Sequence, residues 1–460
     1  MIRIFNHYLH RRTLLHILLD GGLIVFTILA FVITQVDDPY FAMPPAFANG
    51  AVLAAYVFVI NTASGFYQLV HNRSFIQSCA RAVLAMVLVF PLGYLIFSLL
   101  PVGVGGSENV KIAAMLGVAL VMAHRVYMSH APANSRIRSK ILIFGAGPAA
   151  RTVGQSLTAA DPYVDIVGYL PGPNEQQPAI FGDELLPTHR SLTETALRLD
   201  VDEIVVALTE RRGGSMPLRE LLDCKLNGIR VYDIATHFEK TLGQIKIDYV
   251  YAGWLIFGDG FSQGALRTAV KRCFDIVCSW LLLLVFMPVM LVTALLIWME
   301  SRGSIFYRQE RVGLNGKIFN VIKFRSMIAD AEKDGQPRWA TVGDDRVTSV
   351  GRVIRKLRID ELPQLYCVLK GDMSLVGPRP ERPYFVEQLT EQIPYYSVRQ
   401  SVKPGVTGWA QVRYHYGATV ADSQEKLNYD LYYVKNHTLF LDLVILFETV
   451  AVVLMAKGSR

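Results

Sequence analysis

Four runs of apolar residues, near Thr13–Thr34, Phe47–Tyr67, Ala80–Leu100 and Val110–Met128, dominate the first part of the chain. Each approaches the roughly 20 residues a helix needs to cross a bilayer. Four in succession, separated by short loops, argue against the buried helices of a large soluble core. The first run is too long for a signal peptide and has no small-residue cleavage site. Polar positions between the runs are sorted by charge. Arg3, Arg11 and Arg12 precede the first run, Arg73 lies between the second and third, and Arg125, Arg136, Arg138 and Lys140 close and follow the fourth. The alternate loops Asp37–Ala46 and Pro101–Asn109 carry no Lys or Arg, and Lys111 is outvoted. Basic residues collect on the cytoplasmic side, so the N-terminus and everything after the fourth run are expected to be cytoplasmic.

Beyond residue 130 the pattern changes to short apolar strands alternating with helical stretches. Ile141–Phe144 runs into Gly145-Ala-Gly147-Pro-Ala-Ala150, and further strands are expected at Ile166–Leu170, Glu203–Leu208 and Gly228–Tyr232. This alternation predicts a doubly wound parallel sheet, a Rossmann-like cytosolic domain over residues 131–263. Gly-x-Gly-x-x-Ala after a strand is a partial dinucleotide fingerprint. The second strand ends without the acid a ribose would need, however, and Pro148 removes an N–H that could serve a phosphate. A structural or regulatory domain is expected in preference to a working nucleotide site.

A second change comes after Gly264. Phe274–Met299 is apolar and long enough to span, but Pro288 interrupts it. Its flanks are basic on both sides, Lys271 and Arg272 before it and Arg302, Arg308 and Arg311 after it. A fifth crossing would place the basic segment 302–435 outside, against the charge rule. A re-entrant helix over 274–299, broken at Pro288 and returning to the same face, resolves the conflict. Leu439–Ala456 is also apolar, but Asp442 and Glu448 interrupt it, so it is expected to lie at the interface. The expected organisation is four transmembrane helices over 1–130, the Rossmann-like domain over 131–263, and a mixed α/β domain over 264–460 anchored by the re-entrant helix.

Composition agrees. Of 460 residues 52% are hydrophobic and only 18% charged, which places the chain in a membrane. The net charge of +7 reads as a cytoplasmic-face surplus toward anionic lipid and substrate, not as a nucleic-acid signal. Five cysteines, Cys79, Cys224, Cys273, Cys278 and Cys367, form no metal or redox spacing and suit a reducing compartment. There is no internal repeat; residues 334–345 are the expected mobile loop, and His415 and His437 carry no assigned role.

The densest chemistry lies at Arg355-Lys-Leu-Arg-Ile-Asp360-Glu361-Leu-Pro-Gln-Leu-Tyr, followed by Gly377-Pro378-Arg379-Pro380-Glu381. Pro363 fits a helix start and Lys370-Gly371 its stop. Two adjacent carboxylates behind a basic cluster, near a helix N-terminus, suit a metal-bridged phosphate. An Asp cap with solvated neighbours is the alternative.

Six motifs in order settle between them. Ser304-Ile-Phe-Tyr-Arg-Gln-Glu-Arg-Val-Gly, Lys323-Phe-Arg325-Ser-Met, Asp360-Glu361-Leu-Pro-Gln-Leu, Gly377-Pro-Arg-Pro-Glu381, Lys403-Pro-Gly-Val-Thr-Gly-Trp-Ala-Gln411 and Tyr429-Asp430-Leu-Tyr-Tyr433 resemble those of the bacterial polyprenyl-phosphate sugar phosphotransferases, the monotopic phosphoglycosyl transferases. With its upstream spans the chain resembles the large members, such as undecaprenyl-phosphate glucose phosphotransferases that initiate exopolysaccharide or capsule synthesis. The resemblance implies transfer of hexose 1-phosphate, glucose foremost, from a UDP-sugar to undecaprenyl phosphate with release of UMP, at the cytoplasmic face of a bacterial inner membrane. It implies Asp360 as nucleophile, Glu361 with Asp360 as the Mg²⁺ site, and Arg355 as a contact for the lipid phosphate. Arg379, held between Pro378 and Pro380, is expected to grip phosphate or the uridine side, with Lys323 and Arg325 on a neighbouring strand and Asp430 positioning substrate. Met287 stands before Pro288 where the family often has Ser, which leaves a side-chain cap of the broken helix in doubt. UDP-galactose or another UDP-hexose, a single displacement activated by Asp360, a non-catalytic assembly scaffold and a membrane sensor are the alternatives. A homodimer is compatible with the sequence.

Overall fold

The computed structural model describes residues 2–4, 7–9, 11–35, 39–63, 66–67, 75–99, 108–128, 138–160, 164–173, 175, 179–208, 216–250, 254, 260–261, 264–300, 303–328, 346–414, 417 and 419–454. The expected mobile loop 334–345, His415, and the loop cations Arg73, Arg136 and Arg302 lie outside them. The chain divides into two compact units, essentially Tyr8–Gly243 and Gln244–Arg460.

In the first unit, helices α1 (Arg11–Gln35), α2 (Pro39–Ala63), α3 (Phe75–Leu99) and α4 (Glu108–Met128) are each long and apolar enough to cross a membrane. Helix α2 starts well before the expected Phe47. Pro44 and Pro45, which fall in the expected loop Asp37–Ala46, are both accommodated inside the helix, which opens on Pro39 where a proline costs least. The faces between helices carry residues at three- and four-residue spacing: Ile24, Ile28 and Val32 of α1, Leu53 and Val57 of α2, Ala85 and Val89 of α3, and Val118 and Val121 of α4 are all buried. Asp20 of α1 is buried as well, and its Oδ2 carries two hydrogen bonds. It accepts from Arg125 Nε at 2.6 Å and Tyr67 OH at 2.7 Å, while the Arg125 guanidinium also donates to His16 O at 2.6 Å. The cluster ties α1 to α4, the arrangement an ion pair needs where water cannot solvate it.

The same unit contains a four-stranded sheet of β1 (Ser139–Phe144), β2 (Val164–Leu170), β3 (Glu203–Val206) and β4 (Arg230–Asp233). All neighbours are parallel, in the order β2-β1-β3-β4. Helices α5 (Pro148–Ala160), α6 (Leu192–Arg198), α7 (Leu218–Leu226) and α8 (Ile234–Leu242) alternate with the strands. The apolar run Ile141–Phe144 is buried along its length, as a covered parallel strand requires. An α/β domain with a parallel sheet is therefore present as the alternation predicted.

The unit boundary falls at Gly243/Gln244, earlier than the expected 263/264. Ile245 and Ile247 insert into the second unit's core, where the Ile245 N–H donates to Asn428 O at 2.9 Å and the Ile247 N–H to Asn428 Oδ1 at 3.2 Å. That unit opens with α9 (Ala265–Glu300), followed by the antiparallel hairpin β5 (Phe306–Val312) and β6 (Ile318–Phe324). Next come α10 (Ser349–Lys356), a single 3₁₀ turn Ile359–Glu361, α11 (Gln364–Lys370), and β7 (Ser374–Val376), which pairs in parallel with β8 (Gly405–Thr407). Helices α12 (Pro383–Gln392), α13 (Trp409–Arg413), α14 (Val420–Asn436) and α15 (Leu439–Leu454) complete it. Val321, Val368, Leu375, Trp409, Leu431 and Ile445 bring these elements into one core.

Two expectations about the apolar helices need correction. Pro288 does not end a helix: α9 is one α-helix from Ala265 to Glu300 with Pro288 inside it, because a proline can forfeit one hydrogen bond while both flanking turns stay helical. Asp442 and Glu448 do not keep α15 at a wet surface either, since both are buried. Asp442 accepts from Lys271 Nζ at 2.6 Å and Tyr433 OH at 2.7 Å, and Glu448 from Arg413 at 2.6 Å. Paired partners inside the protein replace the water that the sequence argument assumed.

Helix α9 is inverted relative to a soluble helix. Its buried positions are Asp275, Ser279, Thr293 and Ile297, whereas Trp280, Leu284, Val285, Leu291, Leu295 and Trp298 are exposed. A helix with polar groups inward and bulky apolar groups outward is built for a hydrocarbon solvent. Both of its ends hold the same unit. Arg272 donates to the carbonyls of Val368 and Leu369 at 2.6 and 2.7 Å, and Glu300 accepts from the Val350 N–H at 3.1 Å.

Candidate active site

Asp360 and Glu361 occupy the 3₁₀ turn between α10 and α11, not the first turn of α11 itself. Arg358 sets up the turn with a left-handed backbone, φ 58°, a conformation uncommon for a residue with a Cβ. Pro363 then stands at the cap position of α11, and Gly371, at φ 101°, ends that helix as expected.

The turn directs Glu361 inward. Its Oε1 accepts from Lys323 Nζ of β6 at 3.0 Å and from an Arg379 guanidinium nitrogen at 2.9 Å. Burial alone would raise this carboxyl, but Arg379 and Lys323 outweigh it and hold Glu361 well below the usual carboxylate range. Asp360 is half-buried and behaves in the opposite way. Burial and the negative Glu361 beside it push it up to about 6, against the pull of Lys323, Arg355 and Arg379. Two neighbouring carboxyls thus have their titrations driven apart, one fixed as an anion and the other poised near neutral pH, a pattern found where acids carry chemistry.

Arg379 owes its position to the backbone around it. The Pro378 carbonyl accepts from Gly405 N–H at 2.9 Å, the Arg379 carbonyl from Arg399 at 2.9 Å, the Pro380 carbonyl from Arg311 at 3.0 Å, and the Glu381 carbonyl from Val312 N–H at 2.9 Å. Four successive carbonyls are tied down, with two prolines restricting φ between them. A Cβ on Gly405 would run into the Gly377 backbone, so this close approach of β8 to the loop requires glycine.

Asp430 takes a different place from the one expected. It is buried in α14 and pairs with Arg399, Nε to Oδ2 at 2.9 Å, while Arg399 also donates to Tyr396 OH at 3.2 Å. Its visible part is to hold Arg399, which holds the Arg379 carbonyl. Arg311 and Arg399 were both missed as parts of this site. The one signal for Arg399 in the sequence is its place just ahead of the Lys403-Pro-Gly motif. The structure brings together Asp360, Glu361, Lys323, Arg355 and Arg379. Arg325 follows β6, where its N–H bonds Ile305 O at 2.9 Å.

Asp360 and Glu361 fit a Mg²⁺ ion by donor type. They offer adjacent hard oxygens, and among the described residues no further His, Cys, Asp or Glu joins them in a cluster. Mg²⁺ accepts that set, since it commonly takes one or two carboxylates and completes its shell with phosphate oxygens and water.

The glycine-rich loop of the parallel-sheet domain is a second candidate, and the protein fills it itself. Glu175 accepts from the N–H groups of Ala146, Gly147 and Gly172 at 2.6, 3.0 and 3.1 Å. The donors that would cradle a phosphate in such a loop are spent on this carboxylate.

Comparison with known proteins agrees with the geometry of the second unit. A model of the family described as bacterial sugar transferase matches residues 266–456. The UDP-N-acetylgalactosamine-undecaprenyl-phosphate N-acetylgalactosaminephosphotransferase of Aeromonas hydrophila is 44% identical over 242 residues, 53% of this chain and 56% of that protein. A UDP-glucose:undecaprenyl-phosphate glucose-1-phosphate transferase of Caulobacter vibrioides is 43% identical over 192 residues, 41% of this chain and 71% of the relative. The undecaprenyl-phosphate galactose phosphotransferase of Salmonella typhimurium is 39% identical over 207 residues, 41% of each chain. The chain belongs to the bacterial sugar transferase family. It spans about half the length of the Aeromonas and Salmonella relatives it matches.

Proposed function

We infer that this protein transfers a sugar 1-phosphate from a UDP-sugar to undecaprenyl phosphate, releasing UMP. The observation that carries the inference is the pair itself: Glu361 locked between Lys323 and Arg379, with Asp360 beside it, half-buried and pushed up to about 6. A scaffold has no use for such a division of roles.

In the proposed reaction an ionised Asp360 oxygen attacks the phosphorus next to the sugar. The bond from that phosphorus to the bridging oxygen breaks, UMP leaves with the electron pair, and a sugar-phosphoryl aspartate remains. An oxygen of the lipid phosphate then attacks the same phosphorus and the carboxylate departs. Dividing the transfer replaces one difficult displacement by two easier ones. Arg379 and Lys323 face the charge that develops on the phosphoryl oxygens, and the tied loop keeps Arg379 in place without reorganisation. Arg355, at the end of α10, is assigned to the incoming lipid phosphate, and Arg325 to the phosphate-binding face. A Mg²⁺ held by Asp360 and Glu361 would supply further neutralisation of phosphate charge.

The membrane arrangement is part of the same proposal. We place α1–α4 as a four-helix transmembrane bundle of a bacterial inner membrane, with the N-terminus and catalytic unit cytoplasmic. Helix α9 is re-entrant in this reading, turning back by a bend at Pro288 inside a continuous helix and not at a break; that its two ends hold one unit supports this. The parallel sheet is assigned a Rossmann-like, structural or regulatory role, since Glu175 fills its glycine loop. The reaction would initiate an exopolysaccharide or capsule.

Glucose was the donor preferred from sequence. Relatives 44%, 43% and 39% identical are named for N-acetylgalactosamine, glucose and galactose donors, so an N-acetylated donor or galactose is the second reading. Purified protein with undecaprenyl phosphate and Mg²⁺ is expected to release UMP from one member of a panel of UDP-glucose, UDP-galactose, UDP-N-acetylglucosamine and UDP-N-acetylgalactosamine. UMP from none of them overturns the assignment.

A further inference from the structure

An apolar groove of about 430 Å³ opens between α9 and α10, and the assigned chemistry does not use it. Pro288, Val292 and Leu296 of α9 form one wall, and Val350 and Val353 of α10 the other. Ile359, the residue before Asp360, also lines it. Below it Ile297, Phe324 and Ile354 are buried against one another, so the floor is packed protein. Pockets of roughly 300–1,000 Å³ are the size that holds small ligands.

Position selects the occupant. The wall on α9 belongs to the helix whose exposed side is apolar along its length, so the groove opens toward the hydrocarbon in which that helix is placed. Two of its lining residues stand next in the chain to the charged centre: Arg355 follows Ile354 in α10, and Asp360 follows Ile359. The Arg355 charge acts on Asp360. A molecule with a phosphate at one end and a hydrocarbon chain directly behind it would put its head between Arg355 and Asp360 and its first carbons in the groove. A water-soluble nucleotide sugar has no part that fits this lining.

We propose that the groove seats the first isoprene units of the prenyl phosphate acceptor and so sets the phosphate in line with Asp360. This rests on the phosphosugar transfer inferred above and adds where the acceptor's chain lies. Pro288 gains a role beyond helix geometry, since it contributes to the groove wall.

Val353 is 56% exposed, so a larger side chain there fills the groove without displacing core. Val353→Trp, and Val292→Trp from the opposite wall, are expected to raise KM for undecaprenyl phosphate about tenfold or more with KM for the UDP-sugar little changed, the scale on which an apolar pocket discriminates. A prenyl phosphate carrying a diazirine on its first isoprene unit should label the peptides around Val292 and Val353 in the full-length wild-type protein. Excess unlabelled prenyl phosphate should suppress that labelling, and phosphatidylglycerol should not. Unchanged acceptor KM in both variants, both eluting as folded protein, overturns the groove assignment. Equal suppression by phosphatidylglycerol also overturns it and identifies a bilayer lipid as the occupant. Failure of the underlying reading looks different, because the wild type then releases no UMP at all.

Discussion

Asp360→Asn removes transfer activity and at the same time makes the protein harder to unfold. Loss of a nucleophile costs on the order of 10⁴-fold or more in kcat, because the remaining groups can bind the donor but offer it no attacking atom. The stability gain follows from titration. Asp360 is raised from 3.8 to about 6 by burial and by Glu361, so the folded protein binds its proton more tightly than the unfolded chain does. Stability from this group is therefore present at low pH and lost as pH rises through about 6; above that the ionised carboxylate works against folding. The shift corresponds to at most about 3 kcal/mol, and solvent reaching a half-buried carboxyl reduces it to about 1. Asn, which never ionises, should raise the unfolding midpoint at pH 7.5 by about 2–4 °C. The difference should close as the pH falls below about 6, where wild-type kcat/KM should also decline. Differential scanning fluorimetry and UMP release across pH 5–8 check both halves. A variant that loses activity and stability together would make Asp360 a structural cap instead.

Arg399→Met should be the most damaging substitution away from the carboxylate pair. Arg399 and Asp430 are both buried, and removing one partner of such a pair leaves an uncompensated charge at a cost of about 3–5 kcal/mol. The double variant Arg399→Met/Asp430→Leu removes both charges and should recover most of that stability. It should not recover activity, because the Arg379 carbonyl still lacks its donor and the loop no longer holds the guanidinium at Glu361. Arg399→Lys retains one charge but cannot reach Asp430, Tyr396 and the Arg379 carbonyl together. It should fold better than Arg399→Met and still show kcat reduced about 10²-fold, the scale of a misplaced electrostatic contact. Activity returning with stability in the double variant would show that Arg399 matters only for folding.

What the sequence revealed of this protein follows from how far apart the cooperating residues lie. The membrane helices were legible because each is a local apolar run, and α2 begins before its expected start because its first turns, Pro39–Ala46, lie outside the densest apolar run. The parallel sheet was legible because its strands are short apolar runs between helices. Asp360 and Glu361 are neighbours in the chain, so the pair could be seen as a pair. Its partners were legible only as motif cations: nothing local says that Lys323 and Arg379 meet on one oxygen of Glu361. Arg311 and Arg399 act on backbone carbonyls, a role without any side-chain signature. The same limit explains Glu175, whose loop gives no hint that it closes onto Ala146 and Gly147. Asp442 and Glu448 misled because a charge in an apolar run signals exposure only until Lys271 and Arg413 are known to meet it.

The central claim is that the bond broken in the donor lies between its two phosphates, with Asp360 taking the sugar-bearing phosphoryl group. A UDP-sugar labelled with ³²P on the phosphate next to the sugar tests this most directly, using full-length protein in detergent with undecaprenyl phosphate and Mg²⁺. The label should move into the organic phase with one UMP released per label transferred. Without acceptor it should remain on the wild-type protein and be missing from Asp360→Asn. Label left in the aqueous phase as UDP, with the sugar alone transferred, would contradict the account.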